Sequence, residues 1–295
     1  MSYEAWIILT GSLVGISCGL IGVFLVLRRM AMLADAISHT ALLGIVGAYL
    51  VSQSLDGIYM LIGATIVGLL TAFFVQVLHS SGVQADAAIG VVFTALFALG
   101  VILLSLYAGD VHLDTDHALM GEITFVPWDT VEMNGVNMGP KAVWMLGSVL
   151  FINLVIISLF YKEIKISSFD PEMALAIGIP VLFIHYLLMG MLSITTVASF
   201  DSVGAILVVA MLIVPASTAY LLTDRLIVML MISCAVGVLS AILGYYIALL
   251  WNVSIAGSMA TAVGFIFAIT FFLSPKHGLM SKWLAKRKVK VKQSI

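Results

Sequence analysis

Charge is what this sequence has least of. Lysine, arginine, aspartate and glutamate together make 9% of its 295 residues, against about 25% in soluble domains. So few charges cannot coat a water-soluble globule of this size, which excludes a soluble enzyme and a nucleic-acid binder. Polar low-complexity tracts are missing too, and with them any case for a disordered chain. Cysteine is almost absent. Cys18 and Cys234 stand alone inside apolar runs, so neither a disulfide framework nor a CxxC metal site is available. There is no GxxxxGK[ST] loop for a nucleotide, no HExxH for a catalytic zinc and no GxSxG for a serine nucleophile. The alternating segments of a membrane β-barrel are lacking as well.

What is present is apolar length. Apolar residues make 62% of the chain and the mean hydropathy is +1.20. About 20 apolar residues make one helical span, so an all-α, polytopic membrane protein of eight or nine helices is expected. The runs place spans at 5–27, 33–52, 57–78, 87–107, 141–161, 180–199, 202–222, 226–250 and 254–273. The first has no positive charge before it and reads as a span, not a cleaved signal. The sixth and seventh are separated only by Phe200-Asp201-Ser202, either a tight outer turn or a break in one segment.

Basic residues set the orientation. Arg28 and Arg29 follow span one, Lys162 and Lys165 follow span five, Arg225 lies between spans seven and eight, and seven more fill 276–295. With nine spans, an outside N-terminus and a cytoplasmic C-terminus, all of these face the cytoplasm and only Lys141 does not. An eight-span chain would put some on the wrong side, so nine is favoured. The organisation expected is a transmembrane domain over 1–275 and a basic cytoplasmic tail over 276–295. The segment 108–140 carries Asp110, Asp114, Asp116, Glu122, Asp129 and Glu132 with no lysine or arginine. It reads as an acidic outer loop, fit to attract a cation or a basic partner, or simply to be solvated.

The largest cytoplasmic connection contains Asp170-Pro171-Glu172-Met173-Ala174. An N-cap residue, proline at N1 and an acid in the first turn start a helix, and Gly178 can end it. A short helix over 170–178, outside the membrane, is either a docking surface for a cytoplasmic subunit or a plain connector.

Ionisable residues inside apolar spans are costly and by default mark function. Asp35 and His39 open span two, four apart and so on one helix face. A carboxylate and an imidazole on adjacent turns can hold one divalent ion, in their anionic and neutral forms. The competing reading has Asp35 capping the helix near Arg28 and Arg29 while His39 bonds a neighbour. A second group, His112, Asp114, Asp116 and His117, gathers metal-competent side chains without a fixed-geometry motif. Asp86 suits an N-cap, and His79, His185 and His277 suit ordinary satisfied polar positions. Gly11, Gly15, Gly19 and Gly22 make a small-residue stripe for close helix packing. Pro215 should kink or break span seven. The sixteen methionines form no repeated cluster and read as flexible filler.

Three stretches together carry a family likeness. They are Leu27 to Gly44, with its Asp35-Ala36-Ile37-Ser38-His39 core; Asp86 to Thr94 followed by Asp114 to Gly121; and Val203 to Ala219 around Pro215. Through them the chain resembles the permease subunits of bacterial ABC importers for manganese, zinc and iron, most closely the manganese permeases of Gram-positive bacteria. It departs at Leu43, where many members have proline before the glycine.

The resemblance implies a vitamin-B12-permease-like fold shortened at the N-terminus. It implies a second permease subunit, identical or homologous, and an ABC ATPase dimer docked on the 170–178 helix. It also implies an extracytoplasmic metal-binding protein delivering cargo from outside. It makes Asp35 and His39 ligands of the transported ion and puts Asp114, Asp116 and His117 near the outer mouth. No resident cofactor is expected. The cargo is manganese by resemblance, with zinc or iron as alternatives. A proton-coupled secondary transporter or channel is the competing class. No two-half duplication is visible, which counts against an inverted-repeat carrier of that class; a scaffold without transport is a third reading.

Overall fold

Why nine long helices can share one bundle with so little polarity is visible in how they touch. The computed structural model describes residues 2–53, 57–107, 123–133 and 136–274. Among the described residues nine helices are long and apolar enough to cross a membrane: α1 (Tyr3–Leu27), α2 (Ala31–Ser52), α3 (Gly57–Ser80), α4 (Ala85–Tyr107), α5 (Lys141–Leu159), α8 (Val181–Val203), α9 (Ala205–Leu222), α10 (Leu226–Trp251) and α11 (Ile255–Leu273). Two short helices, α6 (Tyr161–Phe169) and α7 (Pro171–Ala176), lie between α5 and α8. A two-stranded antiparallel hairpin, β1 (Thr130–Met133) and β2 (Val136–Pro140), precedes α5. It is the one departure from helix among the described residues.

Helix α1 is the spine. Its apolar window is 78% buried, against 17% for α4. On one side it packs on α9 and α10, which in turn hold α11; on the other it meets α5 and α8. Helices α2, α3 and α4 form a second group that reaches α8 through α2 and α3. The glycine stripe explains the tightness. A Cβ built on Gly15 would lie 2.8 Å from the Gly237 carbonyl carbon of α10, and one on Gly22 would collide with the Leu212 carbonyl oxygen of α9. Lipid tails are as apolar as leucine, so helices in a bilayer associate by this close van der Waals fit.

Polar pins add direction. Asn153 donates to Thr195 at 2.7 Å, tying α5 to α8, and Thr71 donates to Thr40 at 2.9 Å, tying α3 to α2.

The junction between the sixth and seventh spans differs from the expectation. Phe200, Asp201 and Ser202 are helical, and the break is the single residue Gly204, at φ 80°, ψ 164°. That region is open essentially to glycine alone. Gly204→Ala should therefore cost about 1–3 kcal/mol, read as a lower unfolding temperature of the detergent-purified chain. Pro215 also behaves differently: α9 runs through it unbroken, with Pro215 buried. Its ring removes one N–H from the ladder, and the neighbouring turn is where the Leu212 carbonyl meets Gly22.

The connection after span five is slightly longer and more ordered than expected, running from 160 to 180 with two helices in it. Helix α5 stops at Phe160, whose φ −104°, ψ 22° leaves the helical region. Helix α6 then buries Ile164, Ser167 and Ser168.

A candidate intramembrane metal site on helix two

Helix α2 starts without a side-chain cap: its N-cap is Met30, and no side chain bonds the first turn. Asp35 lies one turn further in and does not cap. Arg28 turns away from it, donating from Nη2 to Ser167 Oγ at 2.7 Å and from Nε to Ser168 Oγ at 3.1 Å. The capping alternative for Asp35 thus has no support in the geometry.

Leu33, Ala34, Ala36, Ile37, Thr40 and Ala41 of α2 are buried. Asp35 and His39 lie on the remaining face. His39 Nε2 stands 3.6 Å from Asp35 Oδ1. That is too long for a good hydrogen bond, yet short enough for both atoms to reach one ion through bonds of about 2.0–2.2 Å. The His39 ring is braced by α4, with Phe93 and Phe97 at centroid distances of 5.4 and 5.8 Å. These two phenyls form an apolar wall that limits how the imidazole can turn. Gly100 brings α4 close, since a Cβ there would be 3.0 Å from the Leu43 nitrogen. Leu43, the departure from the family pattern, thus sits where α4 crosses α2.

The His39 side chain is 31% exposed and that of Asp35 47%, so the pair opens at the surface of the single chain. Among the described residues no cluster of three or more His, Cys, Asp or Glu could hold a metal. An ion held by Asp35 and His39 alone would have much of its coordination shell open to other donors. With His39 eight residues into α2, the pair lies about 12 Å along the helix from Ala31.

The other expected groups divide. Asp114, Asp116 and His117, with His112, lie outside the described residues. Helix α7 forms as its residues dictate. Asp170 Oδ1 accepts from the Met173 N–H at 2.9 Å, Pro171 takes N1, and Gly178 closes the end at φ 84°. Ala174 is buried whereas Met173 and Leu175 are exposed, so α7 presents apolar side chains outside the bundle. Asp170→Ala should remove the cap, worth about 1 kcal/mol. Amide exchange over 171–178 should then rise about five-fold, which hydrogen–deuterium exchange would read.

Asp86 sits in the first turn of α4 rather than at its cap, where an acid still favours the helix dipole. His79 is satisfied through Nδ1 and the Val83 carbonyl at 3.1 Å. His185 is not: its Nε2 is buried without a partner among the described residues.

Residues 2–274 match the ABC 3 transport family. The chain belongs to that family. It is 69% identical, over 96% of its own length and 96% of the relative's, to the manganese transport system membrane protein MntD of Bacillus subtilis. The zinc transport system membrane protein TroD of Treponema pallidum is 45% identical over 97% of this chain and 78% of its own. Among solved structures, PsaBC from Streptococcus pneumoniae in complex with Fab superposes with a TM-score of 0.79 at 33% identity, covering 97% of this chain and 96% of that one. The ABC 3 chain described here is accordingly a multi-pass membrane permease of ABC type, with the expected nine-span fold.

Proposed function

We propose that this permease is the translocation subunit of an ATP-driven importer that carries a divalent transition metal, manganese in the first place, into the cell. One observation carries the reading: Asp35 and His39 share a face of an otherwise apolar span, 3.6 Å apart, in a chain 69% identical to a manganese transport protein. Two ligands of mixed O and N type suit Mn, Fe(II) or Zn, and an incomplete shell suits an ion in transit better than one held for keeps. Zinc and chelated-iron transport relatives support the class of cargo more broadly than the single ion.

In this reading a second permease, identical or homologous, faces the α2–α4 surface and completes the path. An ABC ATPase dimer docks from the cytoplasm on Asp170, Pro171, Glu172, Met173 and Ala174 and drives alternating access. An extracytoplasmic metal-binding protein delivers the ion at the outer mouth, near Asp114, Asp116 and His117. The N-terminus lies outside the cell membrane and the basic tail 276–295 in the cytoplasm, following the 1–275 permease domain. This chain contributes binding and passage; hydrolysis belongs to the ATPase.

The test is cellular metal content by elemental mass spectrometry in a deletion strain, with and without the wild-type gene, on media limiting in manganese, zinc and iron in turn. Manganese should fall in the deletion and return with the gene. Unchanged content of all three metals, in a strain freed of redundant importers, would sink the proposal.

A further inference from the structure

At the end of the bundle that carries α7 lies a cavity of about 500 Å³, within the range of small-ligand sites. Its polar lining is Arg28, Arg29, Gln76, Ser167, Ser168 and His185. No carboxylate lines it among the described residues; Asp170 and Glu172 flank the lining residue Pro171, and Asp170 spends an oxygen on capping α7.

Arg28 is mostly buried, and its only described partners are two serine hydroxyls. A guanidinium has five N–H donors, so three remain. Burial pulls the Arg28 guanidinium down to about 10, and among the described residues no carboxylate lines the cavity to offset it. His185 also lines the cavity, and its Nε2 is buried without a partner among the described residues.

Arg29 adds a second anomaly. Helix α1 ends in a Schellman turn, with Met30 N–H donating to the Leu25 carbonyl and Arg29 N–H to that of Val26. The residue in the left-handed position is Arg29, at φ 59°, where glycine is the usual choice. A non-glycine residue is strained there, and the strain leaves a second guanidinium at the cavity. The remaining walls are apolar, with Leu27, Met30 and Leu182 among them.

Planar guanidinium forks match phosphate oxygens. Basic pockets between membrane helices on the cytoplasmic side suit anionic headgroups. We propose that this cavity is a phosphate-binding site that takes the headgroup of an anionic phospholipid from the inner leaflet, with the apolar walls receiving the start of its acyl chains. Inorganic phosphate shares the chemistry but not the apolar complement. The leaflet rests on the orientation proposed above; the site itself does not.

Native mass spectrometry of the detergent-purified permease, incubated with equal phosphatidylglycerol and phosphatidylcholine, tests this. Phosphatidylglycerol should be retained about ten-fold over phosphatidylcholine, a preference of about 1.4 kcal/mol. Arg28→Gln should abolish the preference. Arg29→Gly, which relieves the backbone strain and so should fold at least as well, should reduce it while raising the unfolding temperature. Displacement of the retained lipid by millimolar inorganic phosphate would support headgroup binding through the phosphate, whereas phosphate binding with no phosphatidylglycerol preference would overturn the lipid assignment.

Equal retention of the two lipids would overturn the proposal, as would a preference unchanged in both variants. So would Arg28→Gln weakening association with the ATPase while lipid retention stays equal, since the cavity would then serve a protein carboxylate. The measurement involves neither metal nor membrane sidedness, so it can fail or succeed independently of the import assay.

Discussion

Cells carrying His39→Ala in place of the wild-type permease should hold no more manganese than the deletion strain when manganese is limiting. Second-shell partners of a metal ligand are worth about 10–100-fold in affinity or activity, so loss of a direct ligand should cost at least that in uptake. Asp35→Asn should act in the same direction, because it keeps the size of the side chain and removes the charge. The pair sits at a partly exposed face of α2, away from the Gly15–Gly237 and Gly22–Leu212 contacts that hold α1 to α10 and α9. Membrane abundance of both variants should therefore match wild type by blotting. Full restoration of manganese by His39→Ala at matched abundance would remove the residue from the path. A loss of abundance parallel to the loss of uptake would mean that His39 serves packing against Phe93 and Phe97 instead.

Gly22→Leu is expected to abolish accumulation of folded protein. A Cβ at that position collides with the backbone carbonyl of Leu212, which no rotamer change can move. Overpacking where side chains can still adjust costs about 1–3 kcal/mol; here two helices must part. Gly15→Leu should behave alike, because its neighbour is the backbone of Gly237. Gly264→Ala is the contrast. Nothing lies within 4 Å of its added Cβ, and alanine gains about 0.8–1.0 kcal/mol of helix propensity over glycine. Size-exclusion profiles and unfolding temperatures in detergent would separate the three variants. A monodisperse Gly22→Leu chain with wild-type stability would show that the α1–α9 contact is not what holds the bundle.

Long apolar runs made the nine spans legible from sequence, because a bilayer admits little else. The cap, proline and glycine of 170–178 made α7 legible for a similarly local reason. Helix α6 was hidden because its buried face is Ile164, Ser167 and Ser168, two of them hydroxyls that meet Arg28. A search for apolar periodicity passes over them. The turn at Gly204 was displaced in the reading because Asp201 and Ser202, which look like loop residues, extend α8 instead. At the candidate site the proximity of Asp35 and His39 was legible from i,i+4 spacing. The phenyl wall was not. Phe93 and Phe97 look like any lipid-facing residues of α4 until the fold brings that helix against α2. Only tertiary placement could show that His185, expected to be satisfied, has no partner for Nε2 among the described residues.

Where Gly15 and Gly237 meet, main chain rests on main chain with no side chain between to flex. Helices in such contact cannot slide past one another by small steps; they stay in register or separate. Because α1 meets α10 and α9 in this manner, those three helices move as one piece. A stroke that moves an ion past them is expected to tilt all three together, as a door leaf swings in its frame. The working surfaces then belong on the rim, and that is where Asp35 and His39 stand.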